Sequence, residues 1–409
     1  MGRTVLVVIA VTFGAARAQD APAGTAEAKF PANRWVELKL QTRLMPGTEV
    51  NPKRWGRAKG YHNNNHYGSI TFRSATGEAI ALDGWDGLIG GEKVGHTVIY
   101  ANSLYGIDPI RGVRKQYEIC RWFRGKQWIE HSTNKTNPTP LPRHVYGCLT
   151  YAPPTDSVYI YRGASRGAPP GVWTMWAYSF KAGKWRLVEG DLTKLPPKTS
   201  GSAAYENRMA YVAGEKGTPG GLYFFESQRR LPVWRFDLAA ETWGACSKVK
   251  VPLSTWYVSH CVDTKRRRVL FCGGTKSQTG KLDVWAYEVQ ADRWRRLDVQ
   301  GPKPPAPRRR PGICYLPRRD SLFLYGGGNH WDHWVLDLAT GRWTKITSIP
   351  PPTPKPAEMK PGKSYNQIYM TYDGVHDLIV IQHRNWHALR FVPQELAELQ
   401  GRRPAAASR

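Results

Sequence analysis

The segment HWVLDLATGRW at residues 333–343 decides the fold, because three other segments of the chain superimpose on it without a gap. These are MWAYSFKAGKW at 175–185, VWRFDLAAETW at 233–243 and VWAYEVQADRW at 284–294. In all four copies two tryptophans stand nine residues apart, and successive copies follow at intervals of 49 to 58 residues. The 409 residues therefore contain a repeat, whereas length alone would suggest two or three domains.

Each copy predicts a β-hairpin. An apolar run is followed by a short turn and then by a second run that begins with Arg or Lys and Trp. Two more strand-like runs come before it, as in YVSHCVD (257–263) and RRVLFCGG (267–274). Runs that are apolar on both faces are typical of sheets covered on both sides, as when sheets stack around an axis. The repeat thus predicts four strands per unit.

Repeats of this length, rich in aromatic residues and with Gly-Gly pairs before the first tryptophan, resemble kelch repeats. The resemblance implies that each repeat is one four-stranded blade of a β-propeller. Blade one is divergent, with Tyr105 in the place of the first tryptophan and Tyr117 roughly in that of the second, and blade three has YFFES (223–227) in the place of the double glycine. Blades two to five are expected at about 143–190, 202–250, 255–299 and 308–347. We predict an all-β, six-bladed kelch-type propeller.

The last blade lacks a Trp-led fourth strand, and the start of the chain supplies one. NRWVELKL at 33–40 has the pattern of DRWRRL at 292–297. We predict that this N-terminal strand completes blade six and closes the ring without open sheet edges. The propeller then occupies residues 33–393, between a flexible segment at 19–32 and a C-terminal tail at 394–409.

The first 18 residues have the features of a secretory signal peptide. Arg3 precedes an apolar run at 5–13, and small residues at positions 16 and 18 favour cleavage after Ala18. We therefore expect a secreted or periplasmic protein. No later stretch is apolar for the length that a membrane span needs, so no transmembrane segment is expected.

The charge of the chain favours anionic partners. Lys and Arg number 59 against 32 Asp and Glu, a formal net charge of +27. For an exported protein we expect a carbohydrate or an anionic polymer as the partner rather than nucleic acid. A basic surface with no specific partner is the alternative, and a protein partner also stays open.

The six cysteines lie singly in apolar runs and are expected to be mostly free and buried, with only Cys261 and Cys272 placed near each other.

Binding residues are expected on one face of the ring, where kelch-like propellers carry the loops between strands two and three and the connectors between blades. The motifs there are rich in His, Asn, Arg and Trp, which suit sugar rings, hydroxyls and carboxylates. The candidate ligand-binding residues are His62, Asn64, His66, Asp83, Trp85, Arg143, His144, Arg208, Asn329, His330, Asp332, His383 and Arg384. His330 is expected in an exposed loop, whereas His333 is expected inside the third strand, packed between blades. TKRRR (264–268) and PRRD (317–320) fall on the opposite face and are expected to be solvated.

Binding and catalysis both remain open from the sequence. His62 and His66 flank three asparagines with no nearby carboxylate or thiolate, so we expect no metal and no cofactor. The galactose oxidase-like copper enzymes need a Tyr-His ligand pair late in the propeller, and the only such dipeptide here is Tyr61-His62, before blade one.

The six-bladed exported sialate mutarotases resemble this chain more closely in size, and they also have a last blade that is closed from the N-terminus. A similar isomerase would use Arg143, Arg208 and Arg384 for a sugar carboxylate, with Glu206 or Asp83 as acid or base. Our first hypothesis is a carbohydrate-binding module, and the alternative is a mutarotase-like enzyme.

Overall fold

The structure is a computed structural model. It describes residues 29–43, 68–82, 98–124, 140, 145–162, 175–188, 207–215, 220–226, 232–250, 257–274, 282–300, 305–328, 330–352, 368–383 and 385–393. The predicted signal peptide, the tail at 394–409 and all but the last residues of the segment at 19–32 lie outside these ranges.

Twenty-five strands cover most of the described residues. In chain order they are β1 (Trp35–Glu37), β2 (Gln41–Arg43), β3 (Ser69–Arg73), β4 (Glu78–Leu82), β5 (Val98–Asp108), β6 (Val113–Arg124), β7 (Leu149–Ala152), β8 (Ser157–Tyr161), β9 (Met175–Ser179), β10 (Lys184–Val188), β11 (Arg208–Val212), β12 (Gly221–Phe225), β13 (Pro232–Asp237), β14 (Thr242–Lys250), β15 (Val258–Asp263), β16 (Arg268–Gly273), β17 (Val284–Glu288), β18 (Arg293–Arg296), β19 (Gly312–Leu316), β20 (Ser321–Gly327), β21 (His330–Asp337), β22 (Trp343–Ile346), β23 (Tyr369–Asp373), β24 (Leu378–His383) and β25 (Asn385–Leu389).

These strands form six sheets arranged as a six-bladed β-propeller, which confirms the predicted fold class. Blades 1 to 5 contain β3–β6, β7–β10, β11–β14, β15–β18 and β19–β22, and blade 6 contains β23–β25 with β1. The first strands of successive blades contact one another in order, and β23 contacts β3 to complete the ring. Within each blade, neighbouring strands of the repeat are antiparallel.

The N-terminal strand closes the last blade, as predicted. In β1, Trp35 pairs with Leu389 and Glu37 pairs with His387 of β25. The structure differs from the prediction beyond this point, because 33–40 is not one strand. After Leu38 the chain crosses to blade 1, where β2 pairs in parallel with β6 as a fifth strand. The N-terminal segment therefore bonds to both blades that meet at the junction.

The repeated hairpin explains the spacing of the tryptophans. In blades 3 and 5, an aspartate side chain accepts hydrogen bonds from two backbone amides of the turn, from Ala239 and Ala240 to Asp237 and from Ala339 and Thr340 to Asp337. This fixes the turn and hence the register of the two strands. The second tryptophan then lies opposite the residue two places after the first in every copy. The pairs are Trp185 with Tyr178, Trp243 with Phe236, Trp294 with Tyr287, and Trp343 with Leu336.

The core is divided among the six interfaces between blades. Six apolar clusters of buried residues are present, and each one combines side chains from two neighbouring blades. Each sheet must therefore be apolar on both faces, which accounts for the uninterrupted apolar runs of the repeat. The cluster between blades 5 and 6 includes Trp35, so the first strand contributes to packing between blades as well as to pairing.

Alternating strand directions give the ring two distinct faces. The turn face carries the turns between the first and second strands of each blade, and the connector face carries the connectors between blades. At three interfaces an arginine of one blade binds an aspartate in the turn of the next, and a tyrosine hydroxyl donates to the same carboxylate. The three sets are Arg73, Asp156 and Tyr151; Arg266, Asp320 and Tyr315; and Arg319, Asp377 and Tyr372.

The last two of these Arg–Asp–Tyr sets contradict the expectation that TKRRR and PRRD are solvated. Arg266 donates to Asp320 over 2.6 and 2.8 Å, and the hydrogen bond from this guanidinium holds the pKa of Asp320 well below its usual value despite partial burial. Arg268 is buried and pairs with Asp263 at 2.8 Å. Arg266 and Arg319 hold neighbouring blades together because each faces an acidic turn across the interface, whereas Arg268 is paired within its own blade.

The junction between blades 5 and 6 also contains a polar contact between buried side chains. The indole nitrogen of Trp35 donates to Nε2 of His333 over 2.9 Å, and the imidazole stacks on Tyr325 with ring centres 4.6 Å apart. His333 is buried in β21, which confirms the prediction that it packs between blades. Burial lowers the pKa of His333 to about 3, against a small opposing effect of Asp332. The imidazole is therefore neutral and can accept the indole proton.

Trp35→Ala is expected to lower the free energy of unfolding by about 3–5 kcal/mol, since a large buried ring is removed from the closing strand. Trp35→Phe keeps much of the packing but leaves His333 without its donor, and should cost about 1–2 kcal/mol. Denaturant unfolding of both variants and the unaltered protein measures the difference. A Trp35→Ala protein as stable as the unaltered one would show that the closing strand does not hold the ring.

The pH dependence of stability follows from His333. Its pKa is about 3 in the folded protein against the ordinary 6.5, so the unfolded chain binds a proton first as the pH falls. The contribution of neutral His333 is fully present above pH 6.5 and is lost towards pH 3, by up to about 1.4 kcal/mol per pH unit. Unfolding midpoints between pH 7.5 and 5 should therefore change less in His333→Phe than in the unaltered protein. If the unfolding midpoint changed equally with pH in the two proteins, His333 would not have the lowered pKa assigned to it.

Candidate functional site

A cavity of about 480 Å³ lies on the propeller axis, between the first strands of all six blades. The fourth residue from the end of each first strand lines it, and these six positions form a ring. They are Ile70, Leu149, Met209, His260, Ile313 and Met370. Five members are apolar and one is an imidazole. Residues of the first-to-second-strand turns, among them Ser74, Pro153 and Gly374, also line the cavity, so it reaches the turn face.

His260 is held in the cavity wall by two contacts. Its Nε2 lies 3.0 Å from the backbone oxygen of Met209, and its ring stacks on Phe271 at a centre-to-centre distance of 6.2 Å. A carbonyl oxygen only accepts, so Nε2 carries the proton and Nδ1 is the acceptor. Burial and then the charge of Arg208 lower the pKa of His260 to about 4. The imidazole is therefore neutral near pH 7.

Arg208 bridges three blades at the connector-side end of these strands. Its guanidinium donates to the backbone oxygens of Tyr146 in the connector before β7, of Asn207 beside it, and of Val258 in β15. The side chain is 2% exposed. Gly147 lies against it, and a Cβ there would approach Cδ of Arg208 to 2.9 Å. Arg208 was a ligand-binding candidate from the sequence, and the structure places it in contact with three backbone carbonyls.

The connector at 307–311 carries three consecutive arginines in different environments. Arg308 is buried, donates to the backbone oxygen of Gly326 over 3.2 Å and forms an ion pair with Asp332. Arg310 is also buried and lies 4.7 Å from the centre of the Tyr257 ring. Arg309 is exposed on the connector face, with its guanidinium 5.0 Å from the same ring. The sequence alone does not separate Arg309 from its two neighbours, since all three are arginines in one connector.

His330 and Asp332 lie together in β21, not in the exposed loop that the sequence predicted for His330. His330 pairs with Gly327 across a β-bulge and is partly buried. Its pKa is lowered by burial and by Arg308, with Asp332 opposing. Asp332 accepts from Arg308 and, over 2.7 Å, from the indole of Trp334, and these bonds hold its pKa below the usual value although burial opposes the shift. The strand starts earlier than expected because the bulge continues the pairing past the glycines.

One buried ion pair was not predicted. Arg162 and Glu226, which directly follow β8 and β12, form a bond of 3.0 Å between blades 2 and 3, with side chains 2% and 1% exposed. Their places in the repeat correspond to His383 at the end of β24 and to Asp83 directly after β4 in the sequence. Because the interaction joins side chains 64 positions apart, it requires knowledge of which blades are neighbours.

Most candidate residues fall outside the described ranges. These are His62, Asn64, His66, Asp83, Trp85, Arg143, His144, Asn329 and Arg384, together with the alternative acid or base Glu206. His383 is the last residue of β24. Of the three with described side chains, His330 and Asp332 share Arg308, whereas Arg208 belongs to the junction of blades 2, 3 and 4.

Neither a metal-binding cluster nor a membrane-spanning helix is found in the described ranges. Within them, no group of three or more His, Cys, Asp or Glu side chains is arranged to hold a metal ion. The cysteines with described side chains, Cys148, Cys261, Cys272 and Cys314, are free thiols. No helix in this part of the chain is long and apolar enough to cross a membrane.

No protein-family model matches the chain, and no curated protein matches it. Among solved structures, the chain is similar to TolB from Acinetobacter baumannii, with a TM-score of 0.36 and 10% sequence identity. The similarity covers 66% of this chain and 51% of the TolB chain, so the chain spans about half of that protein. Similarity of this extent carries no information about ligands, and the fold rests on the strand pairing above.

The double glycine of the repeat makes room for the connector, and this can be tested at Gly327. Its φ is +100°, and a Cβ would approach the Cα of Pro311 to 2.8 Å and the backbone oxygen of Arg309 to 2.9 Å. Gly327→Ala is expected to lower the unfolding free energy by about 1–3 kcal/mol, because both the backbone and the connector must shift.

Gly244→Ala is the matched control. A Cβ at Gly244 meets nothing within 4 Å, so denaturant unfolding should show at most a slight change in stability. Equal effects of the two substitutions would mean that the glycine does not position the connector.

Proposed function

We propose that the protein is a binding module that holds an anionic carbohydrate at its connector face. The supporting observation is Arg309, which is exposed on this face and held over the ring of Tyr257. A guanidinium donates two parallel hydrogen bonds to a carboxylate, and its contact with the ring reduces the entropy lost on binding. A sugar that carries a carboxylate fits this chemistry.

The surroundings of Arg309 favour the connector face over the turn face. Its neighbours Arg308 and Arg310 are buried, so the backbone on both sides of it is fixed. On the turn face, by contrast, Arg266 and Arg319 are bound to the aspartates of adjacent blades. The net charge of +27 therefore does not measure how many cations can bind a ligand.

Three predictions from the sequence belong to the same proposal. The kelch-type repeat, export directed by residues 1–18, and ligand contacts from His62, Arg143 and the other candidates on this face are parts of it. Sugar contacts from these residues would surround the carboxylate bound by Arg309 and would supply specificity.

The test is the affinity for N-acetylneuraminate, glucuronate and glucose, measured by calorimetry. Arg309→Gln should weaken binding of the two acidic sugars about 10-fold or more, since a charge-assisted pair is lost. Arg143→Gln should act in the same direction. Glucose, which lacks the carboxylate, should bind more weakly and respond less to Arg309→Gln.

Arg296→Gln is the control, because it removes the same charge from an exposed position in the outer strand β18. Its affinity should equal that of the unaltered protein. Equal losses in both variants, abolished by moderate salt, would reduce the interaction to nonspecific electrostatics. Proton NMR of anomer exchange in the same samples separates binding from the mutarotase alternative, which requires exchange faster than in buffer.

A further inference from the structure

The axial cavity has a ring of apolar side chains with one imidazole among them, and hydroxyl-bearing residues such as Thr71, Thr150 and Thr371 beside it. Five of the six residues in its ring are Ile, Leu or Met, and His260 takes the sixth place. Because Nε2 of His260 is bonded to the oxygen of Met209, the imidazole offers Nδ1 as its acceptor. A volume of about 480 Å³ lies within the range of small-molecule sites.

The two ends of the cavity differ. On the turn side it is bordered by turn residues such as Ser74 and Gly374 and so opens to that face. Towards the connector side, Arg208 joins the backbone oxygens of Tyr146 and Val258 next to the ring position of Met209. The described residues therefore show a route into the cavity from the turn face.

The lining favours an uncharged ligand. Among the described residues that line the cavity, Arg267 is the only Arg or Lys and no Asp or Glu takes part. The guanidinium of Arg267 is at the mouth and pairs with Glu215 at 3.1 Å. An ionic ligand would lose its hydration at the ring of six positions without gaining an opposite charge there, whereas an aromatic ring would replace water at little cost.

We propose that the axial cavity is a second binding site, which takes a small uncharged aromatic molecule with one hydrogen-bond donor directed at Nδ1 of His260. The site opens on the face opposite the connectors and uses none of the residues of the carbohydrate proposal. It stands independently of that proposal, so either can fail without the other.

Indole is the probe, and benzofuran, which has the same shape without the N–H donor, is its comparison. The methyl groups of methionine report the location, because Met209 and Met370 line the cavity and Met175 does not. In protein labelled with methyl-¹³C-methionine, indole should shift the Met209 and Met370 signals through its ring current and leave Met175 unchanged. Absence of these shifts at indole concentrations near its solubility limit would overturn the proposal.

His260→Phe tests the hydrogen bond, since it keeps a ring against Phe271 but removes the acceptor. It should weaken indole binding about 3- to 10-fold and leave benzofuran binding unchanged. His330→Phe is the matched control near the connector face and should change neither. Equal weakening of both ligands, or the same loss in His330→Phe, would contradict the role of His260. The methionine experiment needs no variant and decides the location even where a substitution impairs folding.

Discussion

The segment 29–43 closes the ring, and the contact between Trp35 and His333 anchors it to blade 5. The fourth strand of blade 6 comes from the other end of the chain, so residues 29–43 join the two ends of the propeller, together with the packing of β23 against β3. Strand pairing with β25 supplies register, and the indole-to-imidazole hydrogen bond adds a partner in blade 5. The donor must meet a neutral imidazole, which burial ensures. By crossing to blade 1 as β2, the same segment bonds to three blades in succession.

Much of the fold could be predicted from the sequence, because the repeat carries local information. The tryptophan spacing predicted the hairpins, counting predicted six blades, and the Trp-led pattern at 33–40 predicted closure. Interactions between blades could not be predicted in the same way. Arg266 and Asp320 lie in adjacent turns only after two blades stack, and the same holds for Arg162 and Glu226. The parallel strand β2 also has no local signature, since its partner lies about 70 residues away.

The candidate site was predictable only in part, for the same reason. The sequence identified a basic and aromatic connector face, yet solvent exposure separates Arg309 from Arg308 and Arg310, and exposure depends on how the connector packs against the glycines. His260 lies in the predicted strand YVSHCVD but was not predicted to be a site residue, because its ring of equivalent positions exists only in the closed propeller. A comparison of equivalent strand positions across the blades would have marked it as the single imidazole among apolar residues.

Amide hydrogen exchange tests the closure of the ring most directly. If β1 closes the propeller, the amides of Trp35–Glu37 and Asn385–Leu389 should exchange as slowly as those of the complete hairpin β9–β10, because both segments are paired inside the same kind of blade. If Trp35–Glu37 exchanged at the rate of an unstructured peptide while β9–β10 stayed protected, the N-terminal strand would not close the propeller.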